Sequence, residues 1–443
     1  MLLAYLNAFP AAFQFDDYNV IVDNPGVHGW AAWRAGLGGI RPLLKATYTL
    51  NWTLGPGPFG FHALNLAIHG TNAILVFALF RRFLERGPRE TRFPAARGCA
   101  LSAALLFALH PLQTEAVTYV SGRSSSLMAL FYLGSLLAYV VGRERNARIW
   151  IAVISPGLFL FALLTKETAL TLPFALVLWE ATDPAPQAGG SRCFRGPAVH
   201  LGLLVLFALF LSLHGGYGRL LAGYFHTRGV GDNLLTQLGA VTYLMSKWGW
   251  PRGLNIDPHL PTVRAWTGPL ALAAVLVAAA LALGLLQLRR RPWLAFGLLW
   301  CLLHLLPTNS LVPRPDVVNE RQFYLASAGL ALVLVVGLEQ AVARGALARW
   351  TPVGWSALAL GLLALTTLRN RDFRTELTLW ERSVQVEPGN PRAHNNLGCA
   401  LAYAGHPGQA RRAFEQAVRL DPTYARARVN LAKVTWAEDA STP

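Results

Sequence analysis

Long apolar runs recur along most of the chain and constrain its fold more than any other feature. They occupy residues 63–83, 100–109, 126–141, 149–164, 168–179, 199–213, 270–288, 293–306, 325–342 and 353–368, and residues 1–12 form a shorter one. A helix that crosses a bilayer needs about 20 apolar residues, so several runs must tilt, break or recruit flanking residues. The pattern predicts an all-α, polytopic membrane helix bundle of about 11 spans.

Charge and composition support the same class of protein. The chain is 53% hydrophobic and only 14% charged, whereas soluble domains carry about 25% charged residues. The formal net charge is +16, and such a basic balance can indicate nucleic-acid binding. Here the basic residues stand in short segments between apolar runs, which is typical of membrane topology, so no nucleic-acid partner is expected.

The positions of the arginines predict an orientation. Arg-rich short loops occur at 81–97, 143–148, 192–195, 289–291 and 344–349. The positive-inside rule places them in the cytoplasm. The alternation is consistent if residues 234–250, a run interrupted by polar residues, lie along the surface as an interfacial helix. Residues 15–61, 110–125, 166–167, 215–266, 307–324 and everything after 368 then share the opposite, extracytoplasmic side.

The C-terminal segment has a different composition and a repeat signature. Residues 370–443 are polar and rich in Arg and Glu. The tetratricopeptide repeat (TPR), a helical hairpin of 34 residues, is matched by Leu397, Gly398, Ala410, Phe414, Ala417 and Pro422. One full repeat is therefore predicted at 391–424, flanked by half repeats, with an unrelated amphipathic hairpin as the alternative. The chain divides into a transmembrane domain, 1–369, and a small extracytoplasmic TPR domain, 370–443.

Two adjacent carboxylates, Asp16 and Asp17, follow the first apolar segment. Acidic residues at a bilayer boundary are costly unless they are solvated or used. A carboxylate at this position can act as a general base toward an acceptor hydroxyl. The alternative is an ordinary helix end followed by the turn at residues 24–26.

A polar face is predicted on the helix that begins near residue 62. His62, Asn65 and His69 are spaced i, i+3 and i+7, so they lie on one side of that helix. Such residues point into a bundle interior or a water-filled cavity, although hydrogen bonding between helices gives the same pattern. The spacing matches no metal-binding motif, and the cysteines contain no CxxC, so no metal site is predicted.

Further polar residues belong to the same predicted side. They are His110, Glu115 and Arg123 around one loop, the adjacent pair Lys166 and Glu167, and Glu320 and Arg321 with Tyr324. Each pair alone is expected to be an interfacial salt bridge or an anchoring side chain. Together, Arg and Lys at a membrane surface suit a lipid phosphate, and a carboxylate suits an acceptor hydroxyl. Glycosyl transfer from a polyprenyl phosphate fits this set, and so does a transporter with a charged vestibule.

The order of these motifs resembles one protein family. Its sequence marks are Phe15 to Asp17 with Asn24 and Pro25, Arg41 and Pro42, His62, Asn65 and His69, His110 and Pro111, Glu115, Gly122 and Arg123, Lys166 and Glu167, Leu306 and Pro307, Glu320 and Arg321, Tyr324 and Leu325, and the TPR. The chain resembles the transmembrane and tetratricopeptide-containing (TMTC) proteins of the GT-C glycosyltransferase superfamily. The resemblance implies a GT-C fold, O-mannosyl transfer from dolichyl-phosphate mannose to Ser or Thr of a protein, and TPR repeats in the lumen.

Residue roles follow from the resemblance by position. Asp16 corresponds to the catalytic carboxylate and Asp17 to its acidic neighbour. Arg123, Lys166 and Arg321 are candidates for the donor phosphate. The residues expected to shape the pocket are Arg41, His62, Asn65, His69, His110, Glu115, Glu167, Glu320 and Tyr324.

The preference for Arg over Lys suggests a bacterial protein. The expected location is then the inner membrane, with the TPR in the periplasm and a polyprenyl-phosphate, mannose-like sugar as donor. No cofactor is expected, and a divalent metal is not required. The acceptor is expected to be a protein or peptide, recruited through the TPR. Two other hypotheses remain: a membrane-anchored TPR scaffold without activity, and a transporter of lipid-linked sugars.

Overall fold

The computed structural model describes residues 1–86, 96–183, 197–342 and 345–441. Within these ranges the chain forms α-helices joined by turns and short 3-10 or π segments, without a strand. The Arg-rich loop at 192–195 and parts of those at 81–97 and 344–349 lie outside the described residues. The predicted all-α fold is confirmed.

The first twelve described helices lie within residues 2–249. They are α1 Leu2–Tyr5, α2 Trp30–Ala35, α3 Pro42–Leu54, α4 Pro58–Glu85, α5 Ala96–Leu109, α6 Thr114–Val117, α7 Arg123–Glu144, α8 Ser155–Thr165, α9 Leu172–Thr182, α10 Ala198–Leu213, α11 Gly215–Phe225 and α12 Val230–Gly249. The others are α13 Gly268–Leu286, α14 Pro292–Leu305, α15 Ala326–Val342, α16 Thr351–Asn370, α17 Glu376–Val386, α18 Pro391–Tyr403, α19 Pro407–Leu420 and α20 Ala425–Ser441.

Several helices are long and apolar enough to cross a membrane. Four described segments meet this condition alone: Pro58–Glu85, Val120–Glu144, Gly268–Leu286 and Ala348–Phe373. Two bent pairs raise the number to 6: α5 with Pro111–Val117, bent by 51°, and α10 with α11, bent by 72°. Further apolar helices, among them α14 and α15, have 10–17 residues. The total of about 11 spans therefore stays a prediction.

The bundle core lies between α4, α5, α7, α9, α14 and α15. Phe83, Trp179, Phe296 and Trp300 form a continuous aromatic stack, with neighbouring ring centroids 5.0–5.7 Å apart. The axes of α14 and α15 approach closely at Gly297 and Gly329, where an added Cβ would meet the facing carbonyl oxygen at 2.4–2.6 Å. Small residues permit this close packing in membrane bundles.

Other helices present an apolar surface outward. In α13 only 17% of the most apolar window is buried, and Leu272, Val275 and Leu276 are exposed. These apolar side chains are compatible with contact to lipid. A helix can lie in lipid because its backbone hydrogen bonds are made internally.

The C-terminal unit is built from α17 to α20. The side chain of Thr375 accepts a hydrogen bond from Thr378 N–H in a capping box that starts α17, and Asn390 caps α18. In the hairpin of α18 and α19, a Cβ at Gly398 would lie 2.5 Å from the Phe414 ring. This close contact explains the glycine and the aromatic residue of the repeat pattern.

Candidate functional site

Asp16 and Asp17 lie in one loop, and Asp17 binds this loop to Ser121, just before the start of α7. The Asp17 carboxylate is buried. Oδ1 accepts hydrogen bonds from the Ser121 backbone N–H at 2.8 Å and the Ser121 hydroxyl at 2.5 Å, and Oδ2 accepts one from the Gln14 N–H at 3.0 Å. The preceding residue, Phe15, has a φ of 50°, which bulky residues rarely adopt outside functional or tightly held segments.

Asp16 occupies the same loop but in a different environment. Its backbone N–H donates to the Tyr119 hydroxyl at 3.0 Å. Within the described ranges its carboxylate makes neither a hydrogen bond nor an ion pair. The Arg321 guanidinium lies 5.7 Å from the centre of the Tyr119 ring. Burial opposes the charge of Arg321, but the nearby carboxylates of Glu115 and Asp16 raise its pKa. Asp16 is therefore an unpaired acid close to a cation.

The environment of Asp17 makes its protonation dependent on folding. Burial raises the pKa of its carboxyl to about 7, although the hydrogen bonds from Ser121 and Gln14 act in the opposite direction. Its ordinary value is 3.8. The folded state therefore holds this proton more tightly than the unfolded state, and this carboxyl destabilises the fold progressively as the pH rises from about 4 to about 7.

We expect Asp17→Asn to remove this pH dependence. The difference in thermal unfolding midpoint, variant minus wild type, should increase from about pH 4 to about pH 7 and stay constant above. Differential scanning fluorimetry of the purified protein across this range measures it. Asp23→Asn, at an exposed position of the same segment, is the control and should follow the wild-type profile. A difference that shrinks with rising pH would mean that the fold stabilises the charged form of Asp17.

Lys166 and Arg321 meet at one small cavity. Its volume is about 30 Å³, and it is lined by Ser125, Met128, Lys166, Thr168, His304, Thr308, Arg321, Gln322, Tyr324 and Leu325. Lys166 Nζ donates to the Ser125 hydroxyl at 2.8 Å. Arg321 donates to Glu115 through its guanidinium at 2.8 Å and its backbone N–H at 3.0 Å. The structure thus brings together two of the three cations that the sequence assigned to phosphate binding.

The adjacent residues Lys166 and Glu167 do not pair with each other. Glu167 instead accepts two hydrogen bonds from Arg41, at 2.5 and 3.0 Å, and this pair lies next to the Lys166 amine. Burial opposes ionisation of Glu167, but Arg41 lowers its pKa to about 2. Glu167 is therefore neutralised by Arg41, and Lys166 has no carboxylate within ion-pair distance in the described chain.

The structure adds three residues that the sequence did not single out. His304 lines the cavity and donates through Nδ1–H to the Trp300 carbonyl at 2.8 Å. Its Nε2 has no hydrogen-bond partner in the described ranges. Both amide atoms of buried Gln322 are also unpartnered there. Arg314 is close to Lys166 and Arg321, and burial followed by repulsion from Arg321 lowers its pKa. A polar residue inside the run at 293–306 was the available signal for His304.

The polar face of α4 binds backbone groups of neighbouring helices. His62 Nε2–H donates to the Ala11 carbonyl at 3.0 Å. Asn65 donates to the Val117 carbonyl at 3.0 Å. His69 Nε2–H donates to the Ala108 carbonyl at 3.0 Å, and its Nδ1 lies 2.7 Å from the Tyr324 hydroxyl. The predicted face exists, and its members connect α4 to the segments around the site.

Arg123 does not reach the cavity. It is fully buried, and its guanidinium donates to Asn65 at 2.6 Å, to the Phe61 carbonyl at 3.0 Å, and to the carbonyl and hydroxyl of Thr47 at 3.2 Å. These bonds join α3, α4 and α7 to one another. Each of the three guanidinium nitrogens donates to a protein acceptor, so the geometry is that of a structural cation.

Glu320 and His110 also point away from the cavity. Glu320 accepts from the Asn255 N–H at 2.6 Å, and its other oxygen lies 3.5 Å from Arg369. His110 caps the segment after α5 by accepting from Leu112 N–H at 3.2 Å, and it donates to the Trp248 carbonyl at 2.9 Å. These residues fix the loops around the site.

The C-terminal unit packs against the aspartate loop. The Phe15 ring lies edge-on to the Trp380 ring with centroids 5.1 Å apart. Ala12 N–H donates to the Arg374 carbonyl at 3.1 Å, and the Gln14 side chain donates to the Phe373 carbonyl. The two predicted domains therefore meet beside Asp16.

The fold and this arrangement define a helical membrane protein with a polar site and an appended TPR unit. The tetratricopeptide repeat family matches residues 391–424, which confirms the predicted full repeat. No solved structure matches the chain.

The homologues of the chain are TMTC protein O-mannosyl-transferases, which confirms the family resemblance. Drosophila melanogaster Protein O-mannosyl-transferase Tmtc3 is 26% identical over 98% of this chain and 55% of its own length. Human Protein O-mannosyl-transferase TMTC4 is 29% identical over 93% and 64%, and a Caenorhabditis elegans Protein O-mannosyl-transferase is 27% identical over 96% and 62%. The chain thus spans between half and two thirds of the length of these relatives.

Proposed function

We propose that the protein is an integral membrane glycosyltransferase. It transfers a mannose-like sugar from a polyprenyl-phosphate donor to a Ser or Thr hydroxyl of a polypeptide, on the extracytoplasmic side. The names of its homologues support the reaction, and the apolar helices support the membrane location. The observation that carries the proposal is the unpaired carboxylate of Asp16 close to Arg321, which lines one cavity together with Lys166.

Asp16 is the proposed general base. A base must have a free acceptor atom and a fixed position, and Asp16 has both, because its carboxylate is unpaired while its backbone is bound to Tyr119. Asp17 acts as a positioning residue, since its own oxygens are occupied by Ser121 and Gln14.

Lys166 and Arg321 are proposed to hold the donor phosphate. Glu115 and Glu167 neutralise Arg321 and Arg41, whereas Lys166 contributes a charge without a paired carboxylate. Arg and Lys side chains bind phosphate oxygens well, Arg by a planar fork and Lys as a point charge. The unpartnered Nε2 of His304 and amide of Gln322 supply further polar contacts at the same cavity.

The proposed reaction exchanges one bond at the anomeric carbon. The acceptor oxygen forms a bond to the sugar C1 as the bond between C1 and the phosphate oxygen breaks. Asp16 takes the hydroxyl proton, and the bonding electrons leave with the lipid phosphate. Lys166 and Arg321 stabilise the negative charge that develops on this leaving group. Arg123, His62, Asn65, His69 and His110 hold the framework of the pocket.

Reconstitution tests this function directly. The full chain in lipid nanodiscs is incubated with polyprenyl-phosphate mannose and a Ser- and Thr-containing peptide, and the peptide is analysed by mass spectrometry. We expect a peptide carrying one added hexose. Movement of the donor across a vesicle membrane without any glycosylated product would instead support a transporter, and the absence of both would support a TPR scaffold.

A further inference from the structure

A groove separates the TPR unit from two loops of the transmembrane domain. Its volume is about 460 Å³, within the range of about 300–1,000 Å³ that is typical of ligand pockets. One wall consists of residues at 257–262 and 315–317, and the other of residues from α18 and the α19–α20 connection. The site described above does not include this groove.

Arg392 at the start of α18 makes the groove a preformed feature. It donates to both carboxylate oxygens of Asp257, one of them at 2.7 Å, and to Asp316 at 2.8 Å. Asn390 also donates to the Asp257 carbonyl at 3.0 Å. These bonds fix the TPR unit to both loops at once. A ligand that binds a preformed groove does not have to order its walls.

The chemistry of the walls suits an extended polypeptide. Four prolines, Pro258, Pro261, Pro315 and Pro391, and the partly exposed ring of Tyr424 line the groove. Proline and tyrosine rings offer rigid apolar contacts that tolerate many side chains. Among the charged lining residues, Asp257 and Asp316 are paired with Arg392, and the Asp421 carboxylate accepts from Thr423. The Arg228 guanidinium also lines the groove and donates to the Asn233 side chain and the Arg314 carbonyl. Three carboxylates against two guanidinium groups leave the lining with one excess negative charge, which disfavours an acidic ligand.

One loop borders both the groove and the donor cavity. Residues 315–317 line the groove, and Arg321 and Gln322 line the cavity. The chain from residue 317 to residue 321 spans at most about 14 Å when it is extended. The wall of the groove therefore lies within about 14 Å of Arg321, a distance that a peptide of about four extended residues spans.

We propose that this groove binds an extended, non-acidic segment of the acceptor polypeptide and directs its hydroxyl toward Asp16. The inference rests on the proposed function. It assigns acceptor recognition to the junction between the TPR unit and the transmembrane loops, rather than to the repeat alone.

Peptide binding to the full chain in nanodiscs tests the groove. The probe is a fluorescein-labelled peptide of alternating Ser, Thr, Pro and Ala, followed by fluorescence anisotropy. Truncation of a central aromatic residue commonly costs more than 1 kcal/mol, so Tyr424→Ala should raise the Kd by about tenfold. Thr262→Trp, at an exposed position of the opposite wall, should fill the groove and raise the Kd at least as much. Tyr403→Ala, at a 94% exposed position of α18 outside the groove, is the matched control.

The outcomes separate this inference from the proposed function. Three results would each overturn the proposal that the groove binds the peptide. They are the absence of saturable binding to the wild type, unchanged Kd values in Tyr424→Ala and Thr262→Trp, and a loss of affinity in Tyr403→Ala equal to that in Tyr424→Ala. A peptide in which Glu replaces Ala should bind more weakly, and tighter binding would also contradict it. Binding needs no turnover, so a groove that binds peptide in a protein that transfers no sugar would reject the proposed function alone.

Discussion

Asp16→Asn should lower the rate of sugar transfer by about 10²–10⁴-fold, the usual contribution of a general base. The amide keeps the size and shape of the carboxylate but cannot take the acceptor proton. The backbone N–H of residue 16 still bonds to Tyr119, and the carboxylate makes no ion pair in the described chain, so folding should be unaffected. The transfer assay in nanodiscs, with product quantified by mass spectrometry, gives the rate.

The control for this change lies seven residues further along the chain. Asp23→Asn alters an exposed carboxylate and should retain full activity. The KM for the donor should stay the same in Asp16→Asn, because the phosphate contacts lie elsewhere. Full transfer activity in Asp16→Asn would exclude this residue as the base.

Lys166→Gln should reduce kcat by about 10²–10³-fold, as the loss of one group that stabilises a developing charge commonly does. Its Nζ lines the cavity and donates to Ser125, and Gln retains a hydrogen-bond donor without the charge. Lys433→Gln, at an exposed position of α20, is the matched control and should leave kcat unchanged. An equal kcat in Lys166→Gln and wild type would remove Lys166 from the phosphate site.

The pH dependence of donor binding provides a second measure of the same residue. Burial lowers the pKa of the Lys166 amine well below its ordinary value of 10.5, and repulsion from Arg41 and Arg321 adds to this. Phosphate binds the protonated amine, so the donor KM of the wild type should rise as the pH increases through the pKa of Lys166. This rise should be absent in Lys166→Gln, and an identical pH profile in both proteins would contradict the assignment.

Local patterns in the sequence predicted several parts of the fold correctly. The i, i+3, i+7 spacing of His62, Asn65 and His69 placed them on one helix face because helical geometry is local. The repeat at 391–424 was recognisable because its contacts, such as Gly398 against Phe414, recur at fixed positions.

The sequence did not reveal which residues far apart in the chain form hydrogen bonds or ion pairs with each other. Arg123 is held by backbone carbonyls of Phe61 and Thr47, and a backbone acceptor leaves no signature in the sequence. Glu320 and Arg321 are neighbours in the chain, yet they bind Arg369 and Glu115 respectively, because consecutive residues of a turn point in different directions. Arg314 and Gln322 joined the site only through the path of the loop at 307–324.

A structure of the Asp16→Asn protein with its donor would show where the phosphate and the sugar bind relative to residue 16. Cryo-electron microscopy of the full chain in nanodiscs, saturated with polyprenyl-phosphate mannose, would locate the phosphate. We expect its oxygens in contact with Lys166 and Arg321, with the sugar C1 facing residue 16. A phosphate bound at another place in the bundle, or a sugar turned away from residue 16, would exclude Asp16 as the base and Lys166 and Arg321 as the phosphate site.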